Sequence, residues 1–118
     1  MKRNHRDLRV WQQAMALVEA VYALSSSFPV DERFGLTQQL RRAAVSVPAN
    51  IAEGFARNGS RELIHFLGIA AGSLSELDTL LELSQRLGFC TIDDGLRTQV
   101  DEVSGMLMAL AASIRKRV

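Results

Sequence analysis

The sequence predicts an all-α protein, an antiparallel up-down-up-down four-helix bundle whose second helix is kinked near Pro48. Three observations carry that prediction. Alanine and leucine dominate, aromatics make up only 6%, and prolines number two in 118 residues, a composition that favours helix. Apolar residues recur at spacings of three and four through four long stretches, the period of one face of a helix. Turn signals fall between those stretches, and no pair of alternating runs or internal repeat competes with them. A single domain spanning residues 1–118 is expected.

The first helix is expected over residues 7–26, with Leu8, Trp11, Met15, Val18 and Tyr22 as its inward stripe and Ala14 and Val21 widening it. Three serines, Phe28 and Pro29 then end it, because serines compete for backbone hydrogen bonds and a proline disfavours helical geometry in the residue before it. Asp31 is the expected N-cap of a second helix over residues 32–56, with Glu32 in its first turn. Its stripe of Leu36, Leu40, Ala43, Ala44, Val47, Ile51 and Phe55 stays in phase across Pro48. A loop would have no reason to keep that phase, so a kink is favoured over a break. Pro48 has no amide hydrogen to offer the Ala44 carbonyl. A hydroxyl from Ser46 or Ser73, or a water, is expected to satisfy that oxygen.

After Asn58 and Gly59, Ser60 is the expected cap of a third helix over residues 60–87, with Leu63, Phe66, Leu67, Ala70, Leu74, Leu77, Leu81 and Ser84 inward and Gly88 as its C-terminal stop. Gly68 and Gly72, four apart, suggest close packing inside the fold or between copies. Thr91 with Asp94 imitates a capping box for a fourth helix over residues 92–116. Its core positions Leu96, Val100, Val103, Leu107, Leu110 and Ile114 alternate steps of four and three. A second stripe of Met106, Met108, Ala109, Ala111 and Ala112 is more apolar surface than one seam needs, which points to self-association.

Chemistry-bearing patterns are thin. The lone Cys90 has no partner for a disulfide or a thiolate metal site, which fits a reducing cytoplasm, and reads as a small apolar residue beside Phe89. No export signal and no stretch of about 18 apolar residues is present, so neither secretion nor membrane insertion is expected. His5 and His65 stand far apart, and no zinc, nucleophile or phosphate-loop motif accompanies them. Glu53 with Glu76 lacks the Glu-x-x-His motifs of a di-metal bundle. No catalytic residue, metal or cofactor is therefore expected. Asn50, Glu53 and an arginine, joined by Glu76, are expected to form a register-fixing polar network instead.

Charge becomes informative once the topology is imposed. The net charge is only +1, yet an up-down-up-down bundle gathers the N-terminus, the turn between the second and third helices, and the C-terminus at one end. That end collects Lys2, Arg3, Arg6, Arg9, Arg57, Arg61, Arg115, Lys116 and Arg117, nine of the fourteen lysines and arginines, against few carboxylates such as Asp7 and Glu62. The opposite end holds Asp31, Glu32, Asp93 and Asp94. A phosphate backbone is the natural partner of such a basic end; the plainer reading is that Arg115 to Arg117 complement a helix dipole.

The stretches WQQAMALVEAVY and RRAAVSVPANIAEG, followed by GSLSELDTLLELS, resemble the small four-helix bundle proteins encoded in 23S rRNA intervening sequences. That family includes the accessory variability determinant of diversity-generating retroelements. The resemblance covers nearly the whole chain and implies a ring-shaped homopentamer. For the retroelement member it implies a basic surface that engages RNA and a partner reverse transcriptase, whereas the intervening-sequence members have no established activity. The family motif falls on Arg41, Arg42, Ser46, Pro48, Asn50, Glu53, Gly54, Gly72, Ser73, Glu76 and Leu77, which the resemblance marks as positions for folding and assembly. A net charge of +1 departs from the strongly basic character of the retroelement member. Two expectations follow: an oligomeric, non-enzymatic RNA-associated protein, or a protein-interaction scaffold without nucleic acid.

Overall fold

The computed structural model describes residues 4–117. Four helices, α1 (Arg9–Ser25), α2 (Leu36–Ala56), α3 (Ser60–Arg86) and α4 (Asp94–Arg115), build it with two short 3-10 turns, His5–Asp7 and Val30–Glu32, and no strand among the described residues. Each helix packs on its neighbours in sequence and α4 closes on α1, while the backbones of the diagonal pairs stay more than 8 Å apart. Cross-helix partners fix the antiparallel sense: Ser46 meets Ser73, Gly54 meets Leu63 and Phe66, and Glu82 faces Arg97. The molecule measures 46 × 26 × 20 Å.

Each start of a helix has a local cause. Asn4 accepts a hydrogen bond from the Arg6 N–H and winds residues 5–7 into a 3-10 turn; Leu8 is extended, so α1 begins at Arg9 rather than at Asp7. Asp31 does not cap α2. Pro29 leads into the Val30–Glu32 turn, and the Glu32 carboxylate reaches forward to accept the Leu36 N–H at 3.1 Å. The helix therefore starts at Leu36, four residues later than expected. Ser60 is the first residue of α3 and caps nothing; Gly59 precedes it without a side-chain cap. Asp93, not Thr91, caps α4 by accepting the Leu96 N–H at 2.8 Å. Gly88 ends α3 at φ +80°, with its N–H bonded to the Gln85 carbonyl and that of Phe89 to the Ser84 carbonyl, the Schellman pattern that glycine makes inexpensive.

Core stripes of α2, α3 and α4 lie inward at Leu40, Val47, Ile51, Leu67, Leu77, Val103 and Leu107. In α1 the inward face is Val10, Ala14, Leu17, Val21 and Ser25. Met15 and Tyr22, expected in the core, are 40% and 43% exposed. The helix carries apolar residues on two faces, and packing against α2 and α4 selects the one with the smaller residues. Far from the termini, Phe28 and Phe89 meet with ring centroids 5.7 Å apart, joining the α1–α2 and α3–α4 connections, and Gln85 accepts the Ile92 N–H at 2.8 Å.

α2 runs unbroken through Pro48. The Ser46 and Ser73 hydroxyls bond each other at 2.7 Å, and the Asn50 side-chain amide donates to the Ser46 hydroxyl and carbonyl at 2.9 and 2.8 Å. Both hydroxyls thus serve the α2–α3 seam rather than the Ala44 carbonyl. The expected Asn50–Glu53–arginine–Glu76 network does not form. Glu53 pairs with Arg57 one turn on at 3.1 Å, Asn50 bonds Ser46 one turn back, and Glu76 is exposed; Asn50 and Glu53 each find a nearer partner on their own helix.

Glu82 links α3 to α4. It accepts from Arg86 Nε at 2.9 Å, and Arg97 Nη2 lies 3.7 Å from its other oxygen. The Arg86 hydrogen bond holds the Glu82 carboxyl below its ordinary range. A depressed carboxylate stabilises the fold above its unfolded pKa, about 4.3, and loses that contribution as pH falls through the folded value. Glu82→Gln is therefore expected to melt slightly below the parent at neutral pH, with the gap closing in acid. The gap is small because the pair is exposed; a pH series of thermal melts in which it stayed constant would contradict the assignment.

A candidate nucleic-acid interface

Antiparallel connectivity brings the start of α1, the α2–α3 turn and the end of α4 together. Arg6, Arg9, Arg57, Arg61, Arg115, Lys116 and Arg117 are all exposed there; Lys2 and Arg3, assigned to the same end from sequence, lie outside the described residues. Arg57 pairs with Glu53 and sits 5.2 Å from the Phe66 ring centroid. Arg6 lies 6.0 Å from the Trp11 ring, which His5 meets edge-on at 5.3 Å. Among the described residues, the other cations of this end form no ion pair.

Helix dipoles account for some of these charges and not for others. Arg115 and Lys116 sit at the C-terminus of α4, where the dipole favours a cation. Arg9 and Arg61 occupy the first and second positions of α1 and α3, where the dipole opposes one. Capping sharpens the contrast. At the far end a carboxylate closes each helix start, Glu32 for α2 and Asp93 for α4. At the basic end neither α1 nor α3 has a side-chain cap, so their first amide hydrogens lack the side-chain acceptor that the other two helices have. Uncapped helix starts and unpaired cations are both arrangements that favour an anion.

The structure holds a second cationic feature, absent from the sequence-based expectations. Arg33, Arg41 and Arg42 line a groove of about 550 Å³ with Tyr22, Phe34 and Thr37, at the other end of α2. The family resemblance marks Arg41 and Arg42 as positions for folding and assembly, and gives Arg33, Tyr22 and Phe34 no such part. The available signal was the outward row Gln38, Arg42 and Val45 beside an exposed Arg33–Phe34 pair. A second cleft, about 330 Å³ between α3 and α4, is lined by Ile64, Gly68, Met108 and Arg115 among others.

The remaining signature positions are structural or open. Pro48 and Gly54 are buried, Ser46, Ser73 and Asn50 tie α2 to α3, and Gly72 faces open space. Cys90 is partly buried, and that burial pushes its thiol pKa up, away from reactivity. No group of three His, Cys, Asp or Glu side chains converges as metal ligands among the described residues, and no helix is long and apolar enough to cross a membrane.

These features define a small helical-bundle protein with one charged, uncapped end. The chain belongs to the 23S rRNA-intervening sequence protein family, whose model matches residues 6–109. Its fold is similar to a crystal structure of a protein of unknown function from the S23 ribosomal protein family of Bacteroides thetaiotaomicron. The TM-score is 0.76 at 20% identity, over 86% of this chain and 97% of that one. No curated protein matches the sequence.

Proposed function

We propose that the protein is a non-enzymatic, self-associating RNA-binding bundle that presents its basic end to structured RNA in the cytoplasm. The observation that carries this reading is the pair Arg9 and Arg61, two exposed cations that form no ion pair among the described residues, at helix starts whose dipoles oppose them and which lack side-chain caps. An RNA phosphate would satisfy the amides and the arginines together. The family's name points to 23S rRNA intervening sequences, which makes structured RNA the ligand to try first. Assembly as a homopentamer, implied by the resemblance, would multiply that surface. The open outer face of α3 at Gly68 and Gly72, next to exposed Ile69, supports contact between copies. A reverse transcriptase is the protein partner that the same resemblance implies.

Arg9→Glu with Arg61→Glu tests the reading without harming the fold, since glutamate at a helix start stabilises by about 0.3–1 kcal/mol. The double variant is expected to melt no lower than the parent and to bind RNA about tenfold or more weakly at low salt. Its salt slope should become shallower by about 0.7–0.9 for each phosphate that it no longer neutralises. Gel shifts at graded salt measure both, and unchanged binding in the variant would overturn the proposal. The alternative, a scaffold without nucleic acid, is favoured by Met108, which is 68% exposed over the α3–α4 cleft. It predicts a protein partner and no co-purifying RNA, with solution mass reporting the number of copies.

A further inference from the structure

From the arginine groove between the end of α1 and the first half of α2, we infer that the protein has a nucleotide-binding seat, holding phosphate on Arg33 and Arg42 and stacking a base on Phe34. Three guanidinium groups converge on one groove whose lining contains no carboxylate. Among the described residues, none of the three has an acidic partner within 4.0 Å. Like charges held together repel, and no ion pair offsets that repulsion among the described residues. An anionic ligand does.

Arg41 is already fixed in place. Its Nε donates to the Ser25 hydroxyl at 2.8 Å and its Nη2 to the Tyr22 carbonyl at 3.4 Å, while its guanidinium carbon lies 4.5 Å from the Tyr22 ring centroid. Ser25 is in turn anchored to the Val21 carbonyl at 2.8 Å. One cation is thus preorganised at the base of the groove, and Arg33 and Arg42 stand exposed at its sides. The volume, about 550 Å³, lies in the usual range for small-ligand sites.

Phe34 decides the class of ligand. It is 82% exposed on the lip of the groove, a position where burial gives no reason for an aromatic ring. A carboxylate-bearing peptide would use the arginines and leave Phe34 idle, and an apolar ligand would do the reverse. A nucleotide uses both, through bidentate arginine–phosphate bonds and base–aromatic stacking. Two sources supply that chemistry, a free nucleotide or an unpaired residue of an RNA strand. The seat stands apart from the basic end: Arg42 and Arg57 are separated by fifteen residues of α2, about 22 Å at 1.5 Å per residue.

Calorimetric titration of the full chain with adenosine monophosphate, a short single-stranded oligoadenylate and inorganic phosphate tests the seat. Saturable binding of either adenine ligand, tighter than phosphate, is expected. Binding of the monophosphate identifies a free-nucleotide seat, and binding of the oligomer alone a strand contact. Phe34→Ala is expected to weaken the adenine ligand about tenfold while leaving phosphate unchanged, and Arg42→Ala to weaken both. These positions are exposed, so circular dichroism should stay that of the parent. Absence of saturable adenine binding, an unaffected Phe34→Ala, or polyglutamate binding as tightly as the oligomer would each overturn the inference. The Arg9→Glu, Arg61→Glu variant is expected to keep the seat whatever becomes of its binding to structured RNA. Loss of adenine binding in that variant would move the ligand to the basic end and overturn the groove.

Discussion

Ile51→Ala is expected to lower the unfolding free energy by about 2–5 kcal/mol, on the order of 10 °C in melting temperature for a domain of this size. Ile51 is 0% exposed, one turn beyond Pro48 in α2. Its loss removes apolar surface from the centre of a close-packed core and leaves a cavity that two antiparallel helices, pinned by the Ser46–Ser73 hydroxyl pair, cannot close by sliding together. Met108→Ala is the control. That side chain is largely solvated, and its truncation should shift the melt little. Urea denaturation of the two variants checks the pair; an Ile51→Ala midpoint within error of the parent would mean that the core is elsewhere.

Gly54→Leu and Gly72→Ala should move stability in opposite directions. A Cβ on Gly54 would stand 3.0 Å from Leu63 Cδ1 and 3.0 Å from Phe66 Cβ, with the Leu63 carbonyl at 3.4 Å. Two of those atoms belong to or adjoin the α3 backbone and cannot swing aside. A leucine there forces α2 and α3 apart, at a cost of about 1–3 kcal/mol. A Cβ on Gly72 meets nothing within 4 Å, so alanine gains helix propensity of up to about 1 kcal/mol. Thermal melts decide both. A destabilised Gly72→Ala, accompanied by a lower solution mass, would instead locate a contact between copies at that face.

The periodicity of α4 is legible because the outer positions of its first half, Arg97, Asp101 and Glu102, are charged and set the inward face that Val103, Leu107 and Ile114 then continue. In α1 the same logic fails: Met15 and Tyr22 continue the apolar stripe of Trp11 and Val18, which packs at the margin of the core, and only the shapes of α2 and α4 leave them outside it. Caps mislead for a related reason. Asp31 has the right chemistry, but Pro29 sets a turn that puts Glu32, one residue on, within reach of the Leu36 amide. Asn50 and Glu53, three apart, invite a shared network; a helix offers each a partner four residues away, Ser46 and Arg57, before any other helix does. The basic end can be read from topology because it depends only on where helices start and stop. The groove cannot, since Tyr22 and Arg33 meet Arg42 only when α1 has folded back along α2.

The length of the molecule gives its charge distribution a further meaning. At physiological ionic strength an electric field decays over about 8 Å, while the bundle extends 46 Å. More than five screening lengths therefore separate its extremities, and the acidic caps of one end are invisible to a ligand approaching the other. A net charge of +1 describes neither surface. In solution the protein acts as two locally charged surfaces on one rod, each free to take a ligand without altering the potential that the other presents.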